Sequence, residues 1–447
     1  MSYTSDLIVP RSVSNVEREV DATDLLAYVS GYDWRESATS TRGACSTNNF
    51  PTRLNAGRIW LATLLLGLLF SLFAVTAGAD DSKAENVETQ PVEVITAITL
   101  KQGEASVVHR GRVLIQAQDG SALLERTDGQ LIAVKPDELV SSIESEQPFQ
   151  YIPPAALGAQ LKQELGPSFD LFETEHYVMV TDAGPVYAEW CGRLLERLHD
   201  GFYSYWNKAG LELSPLSMKL PVILFADQKA FQTYAVADAG EALAQARGYY
   251  SARTNRIVLT DLREADGGVA AREDRDVAKK IEASPLNVAT VIHEATHQIA
   301  FNCGLHVRYA DNPLWLTEGL AIYCESPDLK NRSGWRTLGI LHRDRLKAFE
   351  DYVKNRRPAG SLVTLLEGGD RFRDPSKVID AYAESWAFTY FLMRRHKEEY
   401  ITFLKNISRK RPLDWSTQPA RLDEFRQVFG NDLDALEKEF LIYIRRL

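Results

Sequence analysis

Cysteine is scarce in this chain: four in 447 residues, which excludes a disulfide-dense scaffold. Positive charge is in the minority. Lys plus Arg number 51 against 61 for Asp plus Glu, a formal net charge of −10. An acidic chain without a basic domain is a poor nucleic-acid binder, because phosphate neutralisation needs clustered Lys and Arg. No internal repeat is visible, and only one apolar run is long. What is present is an ordinary globular mix, 45% apolar and 25% charged, which excludes wholesale disorder and fibrous repeats. The length suits two or three domains with at least one sizeable core.

The one long apolar run is Ile59–Ala79, uncharged throughout, between Arg58 and Asp80-Asp81. At the helical rise it spans about 30 Å, the thickness of a hydrocarbon core. Arg42, Arg53 and Arg58 precede it and acidic residues come after, which orients the N-terminus to the cytoplasm. Ala77-Gly78-Ala79 also fits a small-x-small cleavage site. Signal peptide and uncleaved single-pass anchor therefore both stand. Either one exports the chain beyond residue 80, to a periplasmic or extracellular place or to the outer side of the membrane. The exported part keeps Cys191, Cys303 and Cys324. An odd number in an oxidising compartment leaves at least one free thiol or a bond to another chain.

The chain divides into six regions: a leader (1–58), the apolar helix (59–79), a polar linker (80–92), a small β module (93–145), a Pro- and Gly-rich connector (146–167) and a large C-terminal domain (168–447). In the module, short β-rich runs are separated by Gln102-Gly103, Asp119-Gly120 and Asp128-Gly129. Asp-Gly between such runs is a strong hairpin signal, and the meander predicts a small all-β, barrel-like unit. Further on, Phe172–Thr181 alternates like a strand and Val186–Trp206 is an apolar-striped helix. Leu220–Phe225 reads as a strand, Gln228–Ala235 as a short helix, and Gly248–Thr260 as a hairpin about Thr254-Asn255. From Ser284 onward the pattern is almost wholly helical. The fold class is α+β, sheet first and helices later.

Ser284-Pro285 opens a helix well, as N-cap and first helical residue, and Gly304 suits its end. Inside the run lies His293-Glu294-Ala295-Thr296-His297. Positions i and i+4 share one helix face, so two imidazoles can converge on a cation. Glu294 falls beside them, placed to take a proton from water rather than to bind the metal. A catalytic zinc site needs a third protein ligand and one open position. Glu318, twenty-one residues after His297, supplies it on a second helix opened by Asn312-Pro313. Gly319 and Ala321 are small, so the two helices can approach closely. Cys303 is an alternative ligand, a core thiol, or a partner for Cys324.

These stretches, HEATHQIAFNCGL and NPLWLTEGLAIYCE, resemble the gluzincin branch of the zincin metallopeptidases. There a Glu some twenty residues past HExxH, often inside WLxEGxA, completes the site. The stretch over 287–325 is most similar to an uncharacterised family of exported bacterial gluzincin-like proteins, with weaker likeness over 168–447. The resemblance implies a zincin-like catalytic fold, one Zn2+ on His293, His297 and Glu318, and Glu294 as general base. Two features depart from it. Thermolysin-like members carry an Asp four residues after the Glu ligand to orient a His, where this chain has Ile322, so an orienting carboxylate must come from elsewhere. No G-x-M-E-N stretch occurs, which favours an endopeptidase over an aminopeptidase.

A donor to the developing oxyanion is also needed. Tyr382 is the first candidate, on an aromatic-rich helix with Trp386 and Tyr390, and His342 the second. His176, His199, His306 and His396 have no ligand-like partner at local spacing and read as structural or surface. Ile257–Thr260 is the candidate edge strand for holding an extended peptide. The expectation is an exported zinc metallopeptidase acting on a peptide or protein, with no nucleic-acid partner. It meets the membrane only through an uncleaved N-terminal helix. Two rival readings are a catalytically silent, metal-stabilised binding protein of the cell envelope and a zinc hydrolase of a non-peptide amide.

Overall fold

The structure, a computed structural model, describes residues 93–116, 120–243, 246–261, 285–325 and 338–447, all within one compact unit. The apolar run 59–79 and the cap residue Ser284 lie outside the described residues. Among those described, no helix is long and apolar enough to cross a membrane.

Strands β1 (Val94–Gln102), β2 (Ala105–Gln116), β3 (Ala122–Arg126), β4 (Leu131–Val134) and β5 (Leu139–Pro148) form one antiparallel sheet in the order β4-β3-β2-β1-β5. The expected turns are present, with Gly103 at φ 64° and Gly129 at φ 81°. The expected barrel is not: β4 and β5 do not pair, and the sheet stays open. It covers its apolar residues in another way. Ile98, Leu100, Leu124 and Val134 form a small core on one face. Leu123 and Leu131, facing the opposite way, pack on Tyr309. A strand buried on both sides by a neighbouring layer has no need of closure.

The connector is structured. Helix α1 (Pro154–Leu165) starts with Pro at its first position, and its Leu157 and Leu161 enter the core beneath the second sheet. That sheet contains β6 (Asp170–Glu173), β7 (Tyr177–Thr181), β8 (Leu220–Phe225), β9 (Gly248–Ser251) and β10 (Arg256–Thr260), ordered β6-β7-β8-β10-β9. The segment 172–181 is thus a hairpin, not one strand. Helices α2 (Pro185–Lys208) and α3 (Gln228–Ala239) connect its strands. β7, β8 and β10 are parallel to one another in the centre, while β6 and β9 run antiparallel at the edges.

The central strands are buried on both faces, as their near-continuous apolar sequences require. Val178, Val180, Ile223 and Val258 face α1 and α3. Tyr177, Met179, Val222, Leu224, Ile257 and Leu259 face the main core. That core is completed by α4 (Pro285–Asn302), α5 (Leu314–Cys324), α6 (Arg343–Asn355), α7 (Ser361–Glu367), α8 (Asp370–Arg373), α9 (Val378–Arg395), α10 (Lys397–Ile407), α11 (Gln418–Phe429) and α12 (Leu433–Ile444). Sheet first and helices later is the arrangement observed. Ile257–Thr260 lies inside the sheet, however, between β8 and β9. The edge is β9, because the hairpin turns outward after it.

Candidate metal centre

Helix α4 brings His293 and His297 onto one face, one turn apart, with their rings 4.7 Å between centroids at 82°. Helix α5 packs against α4 and carries Glu318 between the two rings. Every residue of α5 is buried, so the helix has no solvent face and is held wholly by packing. The sequence expects Gly319 to ease α5 against α4. Its tight contact is with α9 instead: a Cβ there would lie 2.2 Å from Thr389 Oγ1 and 2.7 Å from the Ser385 carbonyl oxygen. The helix itself begins at Leu314, after Pro313. Asn312 secures the turn before it, donating from Nδ2 to the carbonyls of Val307 and Ala310.

The His293 and His297 Nε2 atoms are 3.1 Å apart. Glu318 Oε2 lies 3.1 Å from His293 Nε2, and its Oε1 3.6 Å from His297 Nε2. The three side chains are 7%, 3% and 1% exposed, so water cannot soften their mutual approach. Three ligand atoms on a cation with bonds of about 2.0–2.1 Å sit roughly 3.3 Å apart in tetrahedral geometry. The set therefore fits a single metal ion; which ion, the donor atoms alone do not say.

Charge in the group is set by burial and close partners. Burial opposes a charge on His293, but hydrogen bonds to Glu318 and Glu325 outweigh it and push its pKa up to about 10. Burial likewise opposes charge on Glu318, yet the two imidazoles hold it down at about 2. A carboxylate that stays ionised in a dry core is a strong attractor for a cation.

Glu294 is not one of the three grouped residues, although His293, His297 and Glu318 all act on its charge. Its Oε2 accepts the Tyr250 backbone N–H at 2.8 Å, a bond from the edge strand β9. Its Oε1 is buried and has no hydrogen-bond partner among the described residues. Burial raises its pKa, and the nearby Glu318 adds to this, against the pull of His293, His297 and the Tyr250 amide. Such a carboxylate is more basic than an exposed one, as a proton acceptor should be.

The missing orienting carboxylate is Glu325, which motif spacing did not identify. Its Oε1 lies 2.9 Å from His293 Nδ1, on the side of the ring away from the Nε2 that faces Glu318 and His297. Glu325 caps α5 two turns beyond Glu318, so an i, i+7 search from the ligand would have found it. Burial opposes its ionisation, but Arg345, His293 and His342 keep its pKa well below the carboxylate range. Arg345 Nη2 lies 3.4 Å from both its oxygens. His342 has its Nε2 3.5 Å from Glu325, while its Nδ1 accepts the Arg345 backbone N–H and caps α6. It thus braces Glu325, a different place from the oxyanion position considered for it.

Tyr382 on α9 sits beside the site, its ring 6.5 Å from that of His293. Cys303 and Cys324 are buried and not bonded to each other, and Cys303 is not in the His293, His297, Glu318 group. His306 is buried, and burial with His297 nearby drives its pKa down to about 3. His396 contacts Glu439 at 3.2 Å. The fold also unites His176, Glu196 and His199, which local spacing could not reveal. There His176 Nδ1 meets Glu196 at 2.6 Å and the two rings stack 3.6 Å apart.

Residues 287–414 match a family model described as a protein of unknown function (DUF1570). The matched span holds both imidazoles, Glu318 and Glu325, together with His342 and Tyr382. No curated protein matches the chain.

Proposed function

We propose that this chain is an exported, zinc-dependent peptidase of the gluzincin type, with a zincin-like catalytic fold. The observation that carries the reading is the buried His293–His297–Glu318 cluster with the unpartnered Glu294 Oε1 beside it. A purely structural site has no use for an adjacent base. Two imidazoles and one carboxylate form the donor set of a catalytic zinc site that leaves one position open.

When bound, zinc supplies a Lewis acid that polarises the scissile carbonyl and acidifies the attacking water. Glu294 Oε1 takes the proton from that water and passes it to the leaving nitrogen. The Tyr250 amide holds the other carboxylate oxygen, so the base keeps one orientation during transfer. Glu325 fixes the His293 ring with its Nδ1–H outward. Tyr382 donates to the developing oxyanion. An extended peptide would add along β9, the outermost strand of the second sheet. Export rests on the apolar run at 59–79, cleaved or retained as an anchor.

The test is metal content and peptide hydrolysis of three full-length variants. Glu294→Gln should abolish hydrolysis and keep one zinc per chain, and Glu318→Ala should lose both. Tyr382→Phe should lower kcat by about a hundredfold with KM unchanged. Full activity of the Gln variant would refute the mechanism, and an unchanged kcat in the Phe variant would remove Tyr382 from it.

A further inference from the structure

The β module meets the catalytic half at the turn of the β9–β10 hairpin and at the loop between α4 and α5. From the module, the Leu131 N–H donates to the Arg253 carbonyl at 2.8 Å. From the loop between α4 and α5, Arg308 reaches across both parts. Its Nη1 donates to the Gly129 carbonyl at 2.8 Å and lies 3.3 Å from the Ala252 carbonyl, and its Nη2 donates to Glu125 Oε1 at 2.5 Å. Glu125 is 3% exposed and is also bound by Arg112 and Tyr151. One guanidinium thus ties β3, the β3–β4 turn and the end of β9 together. Charge-assisted bonds of this kind are the strong ones, and they are directional.

The same hairpin turn is gripped from its other side by the metal-bearing helix. Gln298, one residue after His297, donates from Nε2 to the Asn255 carbonyl at 2.8 Å and the Pro221 carbonyl at 2.9 Å. Asn302 and Asn255 exchange amide hydrogen bonds at 2.7 and 2.9 Å, and the Tyr250 hydroxyl donates to Asn255 Oδ1 at 3.0 Å. Asn255 has φ 60°, a left-handed conformation that needs outside support in a residue other than glycine. β9 is four residues long and, among the described residues, pairs on one side only. A short edge strand is poorly fixed by its own ladder, yet it supplies the amide that holds Glu294.

We propose that Arg308 is a positioning residue, through which the β module clamps the β9–β10 turn and so fixes the Tyr250 amide against Glu294. This assigns the module a task in the site and rests on the reading of Glu294 as the general base. Among the described residues, the hydrogen bonds of Arg308 run to Gly129, Ala252 and Glu125 and to none of the grouped His293, His297 and Glu318. It acts through the Ala252 carbonyl and the Gly129 turn, with Glu125 holding its other end.

The test compares full-length, zinc-loaded wild type with Arg308→Met and Arg308→Lys. Two readouts are taken: amide exchange by mass spectrometry and steady-state kinetics. Arg308→Met should exchange faster by about tenfold or more across 248–255, with no change over 314–325, because a local opening is made easier. Zinc content should stay at one per chain. With a hydrolysed peptide in hand, kcat should fall by about tenfold or more at unchanged KM, as expected when a base is slightly misplaced. Arg308→Lys should recover part of both effects. Unaltered exchange over 248–255 overturns the proposal. So does a uniform rise in every peptide, which would make Arg308 merely structural. If Arg308→Met does not fold, Glu125→Gln carries the same comparison. Because exchange needs no substrate, failure of the peptidase reading shows separately, as hydrolysis that survives Glu294→Gln.

Discussion

Two imidazole nitrogens and the two oxygens of one carboxylate, with contacts of 3.1–3.6 Å in a dry core, repel one another unless a proton or a metal ion lies among them. The surrounding residues select the metal-ready state of at least one ring. Glu325 takes the Nδ1–H of His293, so Nε2 is the nitrogen free to coordinate. His342 and Arg345 keep Glu325 charged and in place. Removing that carboxylate should therefore weaken the metal without deleting a ligand. Glu325→Gln is expected to lower zinc affinity by about 10–100-fold, measured by competition with a chromophoric chelator. An unchanged affinity would mean that His293 is oriented by helix packing alone. The Tyr250 amide was not legible in the sequence, and Glu325 was legible only at an i, i+7 spacing from the ligand. An amide has no letter of its own, and Glu325 stands seven residues past the ligand in place of the expected four.

Elements are placed here by how closely they approach. α5 presents Glu318 only because α9 lies almost against it, with Gly319 at the contact. Glycine inside a helix costs about 1 kcal/mol relative to alanine, and its use here reflects the little space that Thr389 and Ser385 leave. Gly319→Ala should gain helix propensity yet destabilise the protein by roughly 1–3 kcal/mol through overpacking. Denaturant unfolding reads the sign directly, and a stabilised variant would contradict the close approach. The α4 motif was legible because i, i+4 is a property of one helix. The hairpin at Asn255 was legible from its turn residues. The edge strand was not, since strand order depends on pairings between segments far apart in sequence. The same holds for 172–181, where one alternating run hides a two-strand hairpin.

At the scale of the molecule, the candidate centre sits between the second sheet and the helical half, and the β module packs on the hairpin turn next to it. Each supplies a part that the others lack. β9 supplies an amide, α4 and α5 the cluster, and the module the clamp on the hairpin turn. A ligand bound to the native form alone stabilises it by mass action. Saturating zinc at 100 times its dissociation constant should add about 2.7 kcal/mol. A chelator should lower the melting temperature, and zinc should restore it. The Glu318→Ala variant should melt at the same temperature with or without the chelator. A chelator effect of equal size in that variant would place the stabilising metal elsewhere.

By itself the amino-acid sequence determined the chemistry available and its local arrangement: two imidazoles a turn apart, a carboxylate beside them, and a second helix with another. It also determined that a sheet precedes a helical half, because periodicity is a local property. The tertiary structure decided what spacing along a chain cannot. It turned Glu318 toward both rings, chose Glu325 to hold one of them, and left the β module an open sheet. It also set the edge strand against Glu294. Each of these depends on contacts between segments tens of residues or more apart in the chain, or on a helix's orientation against its neighbours, and such contacts exist only once the core has packed.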